Sequence, residues 1–163
     1  MNYELAALVL GIHIAAAAIW VGGVVSLGVL SVAIRGFKGL DEGFRSRLIV
    51  HLAQRLSWVI WPALLVAILT GLYNLTWYLP GGLSSLPSST NPYLVAKVGL
   101  VGLVVVLSAF HTLTVSPAIR RGVVSGMDPA RLRRARALNG ILGAVILVAS
   151  LIILFLAAAL QFY

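Results

Sequence analysis

The sequence contains no cysteine, which excludes disulfides and thiolate metal sites at once. Thioether sulfur is scarce as well, with Met1 and Met127 the only methionines. Charge of either sign is rare: 10% of the residues are charged and 61% are hydrophobic, a balance that rules out a soluble domain. The few charges divide the 163 residues into four uncharged runs, Leu5 to Ile34, Leu56 to Ala96, Val98 to Ile119 and Ala137 to Tyr163. Each is long enough to cross about 30 Å of hydrocarbon at about 1.5 Å per residue. The second run also holds a loop, from Pro80-Gly81-Gly82 to Pro92. The expected architecture is all-α: an integral membrane four-helix up-down bundle, a single transmembrane domain over residues 1–163. Its helices are expected at about 3–34, 48–79, 92–119 and 130–162.

The net charge of +8 sits in two places. Arg35, Lys38, Arg45, Arg47 and Arg55 lie between the first two spans, and Arg120, Arg121, Arg131, Arg133, Arg134 and Arg136 between the last two. The intervening loop and the C-terminal Gln161-Phe162-Tyr163 carry none. By the positive-inside rule both basic loops are cytoplasmic and both termini lie outside, in a multi-pass protein of the plasma membrane. The excess charge reads as a topology signal and an anchor to the lipid bilayer, not as a nucleic-acid surface. Glu4 stands where a signal peptide would be basic, so the first span is expected to stay in the mature chain.

Against this background the polar residues inside the spans stand out, since an intramembrane ionisable group needs a partner within the protein. His13 and Trp20 are seven residues apart, hence on one helix face. Lys97, Ser108 and His111 fall on one stripe of the third span, although Lys97 is near enough to its outer end to snorkel to water. His51 lies outside the Arg55 that marks the interface, and is expected in solvent or lipid. In the second span Pro62 should free a carbonyl, and Thr70 and Asn74 should bond to a neighbouring helix. The small residues of the first span, Gly22, Gly23 and Gly28 among them, suit close helix packing. In the last span, Asp128-Pro129 forms an N-cap and first turn, and Asn139 and Ser150 share a face. Gly140 and Ala144 suit helix packing or a homodimer contact.

The runs HIAAAAIWVGG from His13, RLSWVIWPALLVAILTG from Arg55 and PYLVAK from Pro92, in that order, resemble the copper-resistance protein D family. They also resemble the related HemJ-type protoporphyrinogen oxidases, four-helix membrane proteins that bind b-type haem. The resemblance implies an axial haem ligand at His13, with Trp20 at the matching tryptophan, and a functional lysine at Lys97; on the His13 face and about 10 Å deeper, Trp20 is placed to wall a porphyrin pocket. The HemJ-type pattern has a histidine eleven residues after the lysine, where this chain has Ser108, and the histidine falls at His111 instead. Three functions stand as expectations. The first is a haem b protein with a redox role, either electron transfer or a haem-dependent oxidoreductase. Its cofactor residues would be His13, Trp20, Lys97 and Ser108, its metal ligands His13 and His111, and a redox partner or quinone, unassigned, would exchange its electrons. The second is copper transport or resistance, ranked lower because Cu(I) favours sulfur donors. The third is a cofactor-free assembly subunit.

Overall fold

A computed structural model describes residues 3–125 and 128–160. It is built of helices, with no strand among the described residues: α1 (Tyr3–Gly36), α2 (Glu42–Tyr78), a 3-10 helix (Gly82–Ser88), α3 (Pro92–Phe110), a π turn (His111–Val115), α4 (Ser116–Val124) and α5 (Pro129–Ala159). Four stretches are long and apolar enough to cross a membrane: Tyr3–Gly36, Glu42–Tyr78, Pro92–Ile119 and Ala130–Ala159. Large apolar side chains such as Leu8, Val29, Leu69, Val106, Ile141 and Phe155 point outward, as expected where the solvent is lipid rather than water.

Helix boundaries obey local chemistry. Asp41 caps α2 by accepting from the Phe44 N–H at 3.0 Å, so the second helix, expected from about residue 48, starts at Glu42. Asn91 accepts from Leu94 N–H at 3.1 Å and Asp128 from Arg131 N–H at 3.2 Å. In both cases proline is the first helical residue, where its missing N–H costs nothing. Gly82 has φ +58°, a left-handed conformation that suits glycine, at the entry to the 3-10 helix of the connecting loop. The final span was expected to reach residue 162; α5 ends at Ala159, and residues 161–163 lie outside the described residues.

The chain divides into two compact units, residues 1–90 and 91–163. In the first, α1 and α2 pair as an antiparallel hairpin. Its seam repeats every seven residues: Ala6, His13 and Trp20 on α1 face inward, as do Ile60, Ala67 and Asn74 on α2. A seven-residue repeat is the signature of near-aligned packing with knobs in holes. Gly23 lets the helices approach closely, because a Cβ there would lie 2.5 Å from Ile60 Cγ1. Gly22 and Gly28, expected to pack in the same way, have nothing within 4 Å of an added Cβ. Their side of α1 faces away from the seam, so only part of the small-residue surface is a packing surface.

In the second unit, α3 packs on α5. Leu94 and Val104 of α3 meet a stripe of Ile146, Ala149, Ser150 and Ile153. Val104 is 1% exposed and Ser150 fully buried, its hydroxyl donating to the Ile146 carbonyl at 2.6 Å. A serine can therefore sit at the centre of an apolar seam without an unpaired polar atom.

Candidate functional site

His13 stands in the α1–α2 seam, half-buried. Its Nδ1 is 2.9 Å from the Ala67 carbonyl oxygen and 3.0 Å from Thr70 Oγ1. A carbonyl can only accept, so Nδ1 carries the proton. The one hydrogen of Thr70 goes to the Val66 carbonyl, at 2.6 Å, which leaves Oγ1 to accept from His13 as well. The ring is thus anchored through its Nδ1–H, and a neutral imidazole held this way has its lone pair on Nε2. This is the arrangement by which a backbone carbonyl orients a metal-binding histidine. The seam is shaped to the ring: a Cβ at Gly71 would lie 3.0 Å from His13 Cε1 and 3.5 Å from Nδ1, so glycine is what permits the imidazole to lie against α2.

Thr70 acts across the helices as its place in the sequence suggests. Asn74 does not: its Nδ2 is buried and has no hydrogen-bond partner, one turn beyond Thr70 on the inward face of α2. Trp20 is 6% exposed and, counted along the antiparallel register, level with Ala63 and Leu64, whose small and medium side chains leave room for the indole. It therefore fills the seam two turns from His13. His51 is exposed, in line with its expected place beyond the interface. A separate apolar cleft on α2, lined by Ser57, Trp58, Trp61, Pro62 and Leu65, contains no histidine.

In the second unit Lys97, Val104 and His111 recur at seven-residue steps, on the face of α3 that carries the buried Val104. The stripe read from the sequence is therefore the packed face of α3, with Lys97, Ser108 and His111 each half-buried. Fourteen residues separate Lys97 from His111, about 21 Å of helix, so the stripe holds polar groups at its two ends and not one site. At the inner end, His111 lies against the side chain and backbone of Asn139 on α5. His111 Nε2 and Asn139 Oδ1 are both buried, and neither has a hydrogen-bond partner of good geometry.

The backbone at His111 departs from the expected unbroken helix. Residues His111–Val115 form a π turn, in which the Ser116 N–H bonds to the His111 carbonyl. Pro117 explains it. Proline has no N–H for the Leu113 carbonyl, and its ring crowds the carbonyl four residues back, so a widened turn relieves the clash. Ser116 Oγ also donates to the His111 carbonyl at 3.0 Å, and Thr114 Oγ1 to that of Phe110 at 2.6 Å. The signal for the turn is Ser116-Pro117 with a threonine two residues upstream, and it is masked in the sequence because the hydropathy there is unbroken. The pairing of Asn139 with His111 is hidden in the same way. Asn139 shares the face of Ser150, as expected, but a single sequence gives no register between two helices.

Among the described residues there is no group of three or more His, Asp or Glu side chains that could hold a metal ion. Each unit instead offers one membrane histidine with uncharged polar neighbours. Within neither unit do two imidazoles stand at one height, as two axial ligands of one haem must: His51 is about twenty residues of helix from the level of His13, and the second unit has His111 alone.

The family model of CopD, copper resistance protein D, matches residues 50–160. The match takes in the second span from its N-terminal part onward, Lys97, the π turn, His111 and Asn139, and begins after His13 and Trp20. No curated protein and no solved structure is significantly similar to the chain. The match names copper and lends no support to haem or electron transfer. With four apolar spans and most of its length covered by this model, the chain is a multi-pass plasma-membrane protein belonging to the copper resistance protein D family.

Proposed function

We propose that the chain handles copper within the membrane, as part of copper transport or resistance, and that it does so through imidazole donors. The observation that carries this reading beyond the family is the state of His13. Its Nδ1–H is held by the Ala67 carbonyl, and a neutral imidazole oriented in this way coordinates a metal through Nε2 without bringing a charge into the bilayer. Imidazole suits copper, and in a chain without cysteine it is the strongest donor left inside the spans. His111, with the Asn139 side chain against it, is a second station of mixed nitrogen and oxygen donors on a different helix pair. A transported ion needs binding that is favourable enough to enter and weak enough to leave. Sites of one imidazole each, with no thiolate, have that character.

The purified full chain in detergent, titrated separately with Cu(I) and Cu(II), tests the proposal. At least one copper per chain is expected, and His13→Ala should weaken that binding by about tenfold or more. Cells expressing the protein should show altered copper tolerance that His13→Ala abolishes. The absorption spectrum of the same preparation, oxidised and then reduced, decides against haem b or for it. A stoichiometric Soret band that vanishes with His13→Ala would replace copper by haem as the ligand. Neither copper nor haem on the wild-type chain would leave the assembly-subunit reading.

A further inference from the structure

At the turn between α1 and α2 an apolar cleft is lined by Ala33, Ile34, Phe37, Leu40 and Leu48. Arg45 stands at its rim. It is three residues before Leu48, hence on the same side of α2, and its Nη1 donates to the carbonyl of Arg35, next to Ile34, at 3.3 Å. The Nε of the same guanidinium is buried and has no hydrogen-bond partner. A buried N–H of a permanent cation is costly to leave unpaired. The two acids of the turn lie close by, but the Asp41 carboxylate accepts from the Phe44 N–H as the cap of α2. Between residues 35 and 47 there are four basic side chains, Arg35, Lys38, Arg45 and Arg47, against Asp41 and Glu42.

We propose that this turn is a binding site for one anionic phospholipid, with an acyl chain in the apolar cleft and the phosphate on the Arg45 guanidinium. Three features point to a lipid of the surrounding leaflet. The cleft is apolar throughout, it lies at the end of a membrane span where headgroups begin, and Phe37 beside it is 67% exposed at that level. Arginine presents its N–H donors in a planar fork that matches phosphate oxygens. The excess of two positive charges selects further. An anionic headgroup neutralises it, whereas a zwitterionic one brings an ammonium into a region already positive. The site is independent of the copper reading, since neither His13 nor His111 belongs to it.

The test is retention of lipid by the full chain in detergent, measured by native mass spectrometry, with phosphatidylglycerol and phosphatidylcholine supplied in equal amounts. One phosphatidylglycerol per chain is expected, with little phosphatidylcholine. Arg45→Ala should weaken retention about tenfold, the loss expected for one charged hydrogen-bonded contact. Arg45→Lys, which keeps the charge but not the fork, should recover only part of it. Leu48→Trp, which fills the cleft and leaves the guanidinium in place, should also expel the lipid, and the thermal midpoint of each variant confirms that it is folded. Equal retention by wild type and Arg45→Ala would overturn the proposal, as would equal retention of the two lipids. Displacement of the lipid by millimolar inorganic phosphate, with Leu48→Trp still binding phosphate, would reassign the site to a free anion.

Discussion

A membrane histidine is defined by what holds its proton, and His13 is held by backbone. The Ala67 carbonyl takes Nδ1–H, the Thr70 hydroxyl takes a share, and Gly71 provides the space. Single substitutions separate these contributions. Gly71→Ala puts a methyl 3.0 Å from His13 Cε1, so the ring must move or the helices must part. A loss of about 1–3 kcal/mol is expected, the usual range for overpacking, read as a lower thermal midpoint in detergent together with weaker copper binding. Gly28→Ala on the open side of the same hairpin should change neither. Thr70→Val should weaken the orientation of the ring by about 1 kcal/mol, the net worth of one hydrogen bond. It should leave the Nδ1–H tautomer in place because the Ala67 carbonyl remains, and the nitrogen NMR shifts of the imidazole would show this directly. At this scale the sequence is informative about which residues matter and silent about why. His13 is singled out by residue type and surroundings, since a histidine in an uncharged span must have a partner. Ala67 could not be named, because its contribution is a carbonyl that every residue owns.

At the scale of elements, hydropathy and capping residues place the four spans, and Asp41, Asn91 and Asp128 mark three of the helix starts in the structure. The interruption of the third span escapes the same reading, because a π turn changes the hydrogen-bond partner without changing composition. Pro117 is its cause, and the consequence is testable. With Pro117→Ala an N–H is restored for the Leu113 carbonyl, and the turn should close to α. Losing the extra residue of the wide turn rotates α4 by about 100° relative to α3. A spin label at Arg121, exposed on α4, should then report a changed accessibility to lipid and water, while a label at Leu103 on α3 should not. If both labels are unmoved, proline is not what maintains the turn.

For the whole molecule, the distribution of arginine and lysine predicts orientation, with residues 35–55 and 120–136 on the cytoplasmic side. The absence of cysteine makes the measurement simple, since any introduced thiol is the only one present. A cysteine at Ser84, in the loop between α2 and α3, should react with an impermeant reagent from outside intact cells, and one at Ser125 only after the membrane is opened; both residues are exposed. Reaction of both from the same side would refute the orientation. Copper tolerance and lipid retention are properties of this whole chain in its membrane, and each has its own variant: His13→Ala for the first, Arg45→Ala for the second.

The hairpin of α1 and α2 has a further consequence for how the protein is made. Its seam, from Gly23 against Ile60 to His13 against Gly71, draws only on residues before the loop. A nascent chain therefore holds everything needed to seat the imidazole once the second span has left the ribosome, before α3 exists. Buried polar groups in a bilayer are hazardous while unpaired, and vectorial synthesis limits the exposure of His13 to the time taken to make one more span. Co-expression of residues 1–88 and 89–163 as two polypeptides should accordingly yield an N-terminal fragment that inserts and escapes proteolysis by itself. The same fragment carrying Gly71→Ala should be degraded.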